Sequence, residues 1–535
     1  MVWKNVLRIF IAGMLVLSGN VIADAVNFKD QTITVALTQE PPSLNTIRMT
    51  DLVSFFIIGH TNEGLLRYDR HGRLAPGVAE SWETTPTGIL FKLRPDARWS
   101  DGSPINADDF VFAWQRVNDP LEAAPFAAIM YPIKNAEQIQ KGELPPSALG
   151  IKAIDNRTLQ IDFEFPCGYC PGLMPHATFF PIKRSFYEEA GKQYGADAHR
   201  LLANGPFQLT HWTHSANLRL RKNPNYWDRN NITLQEINIG YITEDNRTRL
   251  NLFVDNRIAL VRLGAETVKD ASALGLRLRT FQSGGLSYLR FNMIDSSITR
   301  YKKLRQAIQS VFDPETFVNR VIAIPGYQPA YSFFPSWLRG VQGKFADEYP
   351  VPPNKVDIEH GRRLIRELQQ DLGVNTIPEV TLLSVASPTG AKVAEFFQGL
   401  LHQTLGLRVK VDQQTLKQYL DKSRKGQFDI AVSSWYPDFD DIMTYADLQA
   451  SWNHNNRGNY VNPEYDRHVR VLQGASETRQ RMDAAAVLQD ILLQDVPVLP
   501  VAETGSAYIQ HPDLKGVVRR VIGQDPDYTY ARVVN

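Results

Sequence analysis

Phe428-Asp429-Ile430-Ala431-Val432-Ser433-Ser434-Trp435-Tyr436-Pro437-Asp438-Phe439-Asp440-Asp441 closes a stretch, 358–432, in which helical and strand patterns alternate. Leu364, Ile365 and Leu368 recur at helical spacing up to Gly373, and Val380 to Val385 is an apolar strand run. Val393, Phe396, Phe397, Leu400 and Leu401 then mark a second helix ending at Gly406, Leu407 to Val411 a second strand, and Leu416, Tyr419 and Leu420 a third helix before the strand Phe428 to Val432. Such alternation specifies a sheet flanked by helices and a mixed α/β fold class. Open α/β sheets bind ligands in the crevice beyond the carboxyl ends of their strands. The aromatic and acidic loop Ser433 to Asp441 is therefore the first place to seek a site.

Outward from this stretch, other elements are legible. Thr32 to Leu37 alternates as a strand and ends in the turn Glu40-Pro41-Pro42-Ser43, and Phe91 to Arg94 and Leu218 to Arg221 are further strands. Asn106 N-caps a helix in which Phe110, Trp114 and Val117 share one face, with Asp108 and Asp109 in the favourable first turn. The chain has 535 residues, against a typical domain length of about 150, which predicts several sub-cores and room to enclose a ligand. Apolar residues at 43% and charged residues at 21% exclude a disordered chain and a polytopic membrane protein. Lys plus Arg total 58 against 57 Asp plus Glu, so there is no basic field for nucleic acid or anionic membranes.

At the N-terminus Lys4 and Arg8 precede the apolar run Ile9 to Leu17, with Ala23-Asp24-Ala25 following, the pattern of a secretory signal over 1–25. A bilayer span needs about 20 apolar residues, and this run breaks at Ser18-Gly19-Asn20. Leu17-Ser18-Gly19 resembles a lipoprotein box, but Asn20 stands where the lipidated Cys belongs. Cleavage after Ala25 would remove Lys4, Arg8 and Asp24 and leave a neutral exported chain free to diffuse. The only cysteines, Cys167 and Cys170, lie between Pro166 and Pro171. In an oxidising compartment a disulfide is the default for such a pair. A Cys-x-x-Cys redox centre is the alternative, but it requires the first Cys at a helix N-terminus, and here a strand pattern (Leu159, Ile161, Phe163, Phe165) runs into the motif.

The chain has no Gly-x-Ser-x-Gly elbow, phosphate loop, His-Glu-x-x-His helix or Gly-x-Gly-x-x-Gly. His211 and His214 on a strand face opposite sides, and Asp108–Asp109 and Asp440–Asp441 diverge as sequence neighbours. These features argue against an enzyme, and no metal or cofactor is implied. Gly284-Gly285 is too short to cradle a phosphate and instead suits a close strand crossing.

Three blocks carry a family resemblance: Leu74-Ala75-Pro76-Gly77-Val78-Ala79-Glu80-Ser81-Trp82, Phe91 through Pro104 with Trp99-Ser100-Asp101-Gly102, and Ala107-Asp108-Asp109-Phe110 through Arg116. With Asn204-Gly205-Pro206-Phe207, Asn223-Pro224-Asn225-Tyr226-Trp227 and Asp525-Pro526-Asp527-Tyr528-Thr529-Tyr530 in order, the chain resembles extracellular solute-binding proteins of family 5, the oligopeptide-binding proteins of ABC importers. The resemblance implies a type II periplasmic binding protein fold that closes about a hinge. Lobe I would comprise 26–62, 184–283 and 505–535, an inserted domain II 63–183, and lobe III 284–504. It implies an oligopeptide ligand, a membrane permease and ATPase subunits as partners, and a monomer. Trp435-Tyr436-Pro437-Asp438-Phe439 resembles the family's Trp-x-x-Asp-aromatic loop, whose Asp pairs with the peptide α-ammonium; Trp435, Tyr436 and Phe439 either pack on the ligand or belong to the core. From spacing alone, Asp438 after Pro437 reads first as a turn or helix N-cap; the resemblance reverses that reading. Glu40 matches a family Glu near the peptide, and a solvated turn carboxylate is the alternative. Ile430-Ala431-Val432 lacks a cation found in relatives, Leu416 replaces a pocket Trp, and Val501-Ala502-Glu503-Thr504 replaces an aromatic run. Gly285 and Tyr436 occupy positions that relatives can bridge by a disulfide. The same fold also admits a cell-wall peptide, a metal chelate or a sugar.

Overall fold

The computed structural model describes residues 24–535; the expected signal segment lies almost wholly outside them. The alternating stretch forms as the pattern predicts. Helix Ile358–Leu372 ends on Gly373 at φ +65°, strand Val380–Val385 follows, and helix Pro388–Leu405 ends on Gly406 at φ +68°. Left-handed closure of a helix favours Gly because it lacks a Cβ. Leu407 donates its N–H to Leu401 O and so belongs to the cap; the next strand starts later than expected, at Val409, and runs to Gln414. The last strand is likewise displaced to Ile430–Trp435, which makes Trp435 a strand residue instead of a loop residue.

Three main sheets organise the chain. In the first, Thr32–Leu37 pairs in parallel with Glu236–Ile242, followed by the antiparallel strands Asn217–Lys222 and Phe207–Thr213. The second sheet, antiparallel, joins Ala79–Thr85, Gly88–Leu93, Thr158–Asp162 and Ile151–Asp155. Its core takes in the family-signature residues Phe91, Trp99, Phe110 and Trp114, all essentially inaccessible. Helix Ala107–Asn118 opens with a capping box in which Asp109 accepts the Asn106 N–H, while the same carboxylate accepts Trp99 Nε1. The signature thus builds a core.

The third sheet has seven strands and is mixed, with Val380–Val385 parallel to both of its neighbours and the long strands Arg279–Phe291 and Val498–Gln510 antiparallel at its centre. Each long strand has 13 residues. Their pairing is regular up to Gln282↔Gly505, resumes at Leu286↔Glu503, and is interrupted between. Gly284 occupies the interruption at φ +79°, where a Cβ would come 2.1 Å from Val521 Cγ1; a Cβ on Gly285 would lie 2.7 Å from the Tyr436 ring. The glycine pair therefore serves a close crossing, as its sequence suggests. Leu286 pairs with Trp435, so Gly285 and Tyr436 are neighbours across the two strands. Among the described residues no helix is long and apolar enough to cross a membrane.

Candidate functional site

A cavity of about 520 Å³ lies where the strand-end loop meets the first sheet, within the range common for ligand sites. Tyr436, Pro437, Asp438 and Ser283 form one wall. The end of strand Thr32–Leu37, helix Leu52–Thr61, the segments 175–180 and 258–262, and the C-terminal run 519–526, whose Val521 lies against Gly284, complete the lining. Helix Leu52–Thr61 is held there by its Asp51 cap and by its buried Phe56 and Ile57. The long strands carry Ser283 to the cavity at their interruption.

Asp438 is the group on which the chemistry turns. Of the loop's three carboxylates, Asp441 makes a two-point contact with Arg481, at 2.6 and 2.8 Å, and Asp440 lies 3.4 Å from Arg339. The Asp438 N–H donates to Thr444 Oγ1, but its carboxylate has no hydrogen-bond or ion-pair partner among the described residues. Half-buried at the cleft, it is pushed up to about 7 by desolvation. Asp447 behind it is also pushed up to about 7, by burial and then by the charge of Asp438. Two poorly compensated carboxylates favour a cation supplied from the cleft.

Tyr436, which is exposed, reaches the cavity beside Asp438. Trp435 packs along the core with its indole N–H unpartnered. Phe439 is buried and stacks on Tyr169, with ring centres 5.7 Å apart. Glu40 accepts hydrogen bonds from Trp212 Nε1, His214 and both the backbone N–H and hydroxyl of Ser215, and it does not line the cavity. Desolvation raises its pKa, but these donors together outweigh that and hold it below the ordinary value. Its contacts staple the turn after the first strand to a hairpin. His211 and His214 accordingly serve local contacts, and no cluster of metal-ligating side chains exists among the described residues.

Cys167 and Cys170 form a disulfide with Cα atoms 5.5 Å apart. The helical turn that follows starts at Cys170 and not at Cys167, so the first thiol lacks the helix N-terminus that a redox centre uses. Between the cysteines Tyr169 meets both Phe439 and the guanidinium of Arg481, 5.6 Å from its ring centre. The disulfide loop, which follows strand Thr158–Asp162 of the second sheet, thus braces the loop that presents Asp438.

Four arginines that line the cavity escaped notice in the sequence. Arg519 pairs with Asp525 at 2.7 Å and Arg520 with Asp527 at 2.6 Å, while Arg249 and Arg262 pair with no carboxylate among the described residues. The Asp525–Tyr530 motif was visible, but nothing local shows that it folds against a cleft.

Known proteins resemble this architecture throughout. The family described as bacterial extracellular solute-binding proteins, family 5 Middle, matches residues 73–457. The periplasmic murein peptide-binding protein MppA of Escherichia coli is 28% identical over 526 residues, covering 97% of this chain and 94% of the relative. The substrate-binding domain of an oligopeptide ABC transporter from Bacillus anthracis superposes with a TM-score of 0.82 at 30% identity, covering 95% of this chain and 99% of that one. The OppA of Listeria monocytogenes bound to peptide gives a TM-score of 0.81 at 28% identity over the same shares.

Proposed function

We propose, because the chain belongs to family 5 of the bacterial extracellular solute-binding proteins, that it is the substrate-binding component of an ABC peptide importer. It encloses an oligopeptide between two lobes and delivers it to a membrane permease driven by ATPase subunits, acting as a binding protein and not as an enzyme. The observation that carries this reading is the cavity of about 520 Å³ with Asp438 unpaired on its wall. The reading divides the chain into lobe I (26–62, 184–283, 505–535), domain II (63–183) and lobe III (284–504). The first and second sheets fall within lobe I and domain II, the third runs from strand Leu260–Leu263 of lobe I into lobe III, and the interruption at 283–285 in its two long strands supports a hinge there.

Asp438 anchors the peptide α-ammonium and Tyr436 packs beside it. Trp435 and Phe439 set the loop's position from beneath, and Glu40 shapes the neighbouring turn. Backbone pairing with strand edges gives affinity independent of peptide sequence. Because closure needs greater affinity for the closed state, an ion pair between the ligand and Asp438 that forms fully only on closure supplies the drive. The protein works in the periplasm after losing its N-terminal signal near Ala25, without a lipid anchor. The murein-peptide relative makes amine-bearing cell-wall peptides the second class to screen.

Native mass spectrometry of gently purified protein, joined to thermal-shift screening, tests this. Co-purifying or stabilising peptides are the expected result. Protein that is empty and is stabilised by no peptide refutes it.

A further inference from the structure

Arg249 and Arg262 stand out among the charged groups of the cleft. Arg249 lies on helix Asn246–Val254 and is only 9% exposed. One guanidinium nitrogen donates to Asn246 Oδ1, and Nε has no acceptor among the described residues. The acids nearest in charge, Asp245, Glu266 and Glu244, do not form an ion pair with it. Asp245 accepts the Thr248 N–H as the helix cap, and Glu266 accepts Asn246 Nδ2. Arg262 projects from strand Leu260–Leu263, between the buried Val261 and Leu263, and makes no ion pair or side-chain hydrogen bond among the described residues. Arg519 and Arg520, which also line the cavity, are both neutralised within the protein.

An unpaired guanidinium held away from water is costly, and a second one within Coulomb range adds repulsion. Arginine remains charged under these conditions. The arrangement is relieved by an anion with two oxygens, because a carboxylate accepts paired N–H bonds from the guanidinium fork.

We propose that Arg249 and Arg262 form an anion subsite on lobe I that takes a carboxylate of the bound peptide. The cleft then selects zwitterionic ligands, with the ammonium on Asp438 of lobe III and a carboxylate on lobe I, so that the ligand's two charges tie the walls together. This rests on the peptide-binding reading above. The carboxylate comes from the peptide C-terminus or from an acidic side chain, and both present the same two oxygens.

Calorimetric titration of the full mature chain with three alanine-based series, each made as tri- and pentapeptides, tests the subsite. The series are free acids, C-terminal amides, and amides with one internal Glu. Wild type is expected to bind one carboxylate-bearing series at least about tenfold more tightly than the plain amides, the scale of one charged hydrogen-bonded contact. Preference for the free acids identifies the terminal carboxylate, and preference for the Glu amides the side chain. Arg262→Gln, at an exposed position, is expected to remove most of the preference between carboxylate-bearing peptides and amides; Arg249→Met is expected to do the same. Peptides that bind wild type without regard to carboxylate, or a preference that survives in Arg262→Gln, overturn the subsite and leave the peptide reading standing. Failure of all series to bind wild type overturns both.

Discussion

Replacing Asp438 by Asn separates the energetic cost of the anchor from its use. In the ligand-free protein the carboxyl is pushed up to about 7 by desolvation, against about 3.9 in an unfolded chain. A group whose folded pKa is raised contributes stability that is complete below the unfolded pKa and disappears as pH rises through the folded value. The window for Asp438 therefore runs from about pH 4 to pH 7. A shift of about three units at about 1.4 kcal/mol each, reduced because the group opens on the cleft, corresponds to about 2–4 kcal/mol. Asp438→Asn is isosteric and removes the charge, so at pH 8 the ligand-free variant is expected to be more stable than wild type by about that amount. At pH 4.5, where wild-type Asp438 is protonated in the folded state, the difference is expected to shrink towards zero. Urea unfolding of both proteins at the two pH values, after ligand is stripped by unfolding and refolding, measures it. The same substitution is expected to weaken peptide binding by about a hundredfold, the scale for losing one partner of a desolvated charge pair. A variant less stable than wild type at pH 8, or a difference independent of pH, refutes the reasoning and shows that Asp438 is already compensated without ligand.

Three further outcomes follow from the same geometry. Because Tyr169 in the disulfide loop stacks on Phe439 and faces Arg481, the partner of Asp441, Tyr169→Ala is expected to weaken peptide binding several-fold without altering Asp438 itself; unchanged affinity in titrations rules out the brace. Gly284→Ala places a Cβ against Val521 at φ +79°, so a loss of about 1–3 kcal/mol in unfolding free energy is expected, and a neutral substitution would show that the crossing is slack. Ala25 is inaccessible and its N–H donates to Asn256 O at 2.9 Å, so a chain that starts at Asp24 is expected to melt at a higher temperature than one that starts at Val26. Equal melting temperatures refute a contribution of Ala25 to the core.

Much of the scaffold can be read locally because it depends on local rules. The strand Val380–Val385 and the helices closed by Gly373 and Gly406 are specified by periodicity and by left-handed caps. The onset of the strand at Val409 is not, because it depends on Leu407 spending its N–H on the cap. Within the acidic loop, Asp438, Asp440 and Asp441 are equivalent as letters. Arg339 and Arg481, distant in sequence, neutralise two of them and leave the third. Glu40 likewise gains its partners from Trp212, His214 and Ser215, about 170 residues away.

The amino-acid sequence by itself determined the α/β class, the pairing-prone cysteines, the balanced charge and the family motifs, because periodicity, caps and composition act over a few residues. Only the tertiary structure decided which charges remain free. Arg249, Arg262, Arg519 and Arg520 carry the same charge in sequence, yet two are neutralised at 2.6–2.7 Å and two face the cleft unpaired. The charge state of a binding site is a property of neighbours in space, and those neighbours are set by where the chain returns.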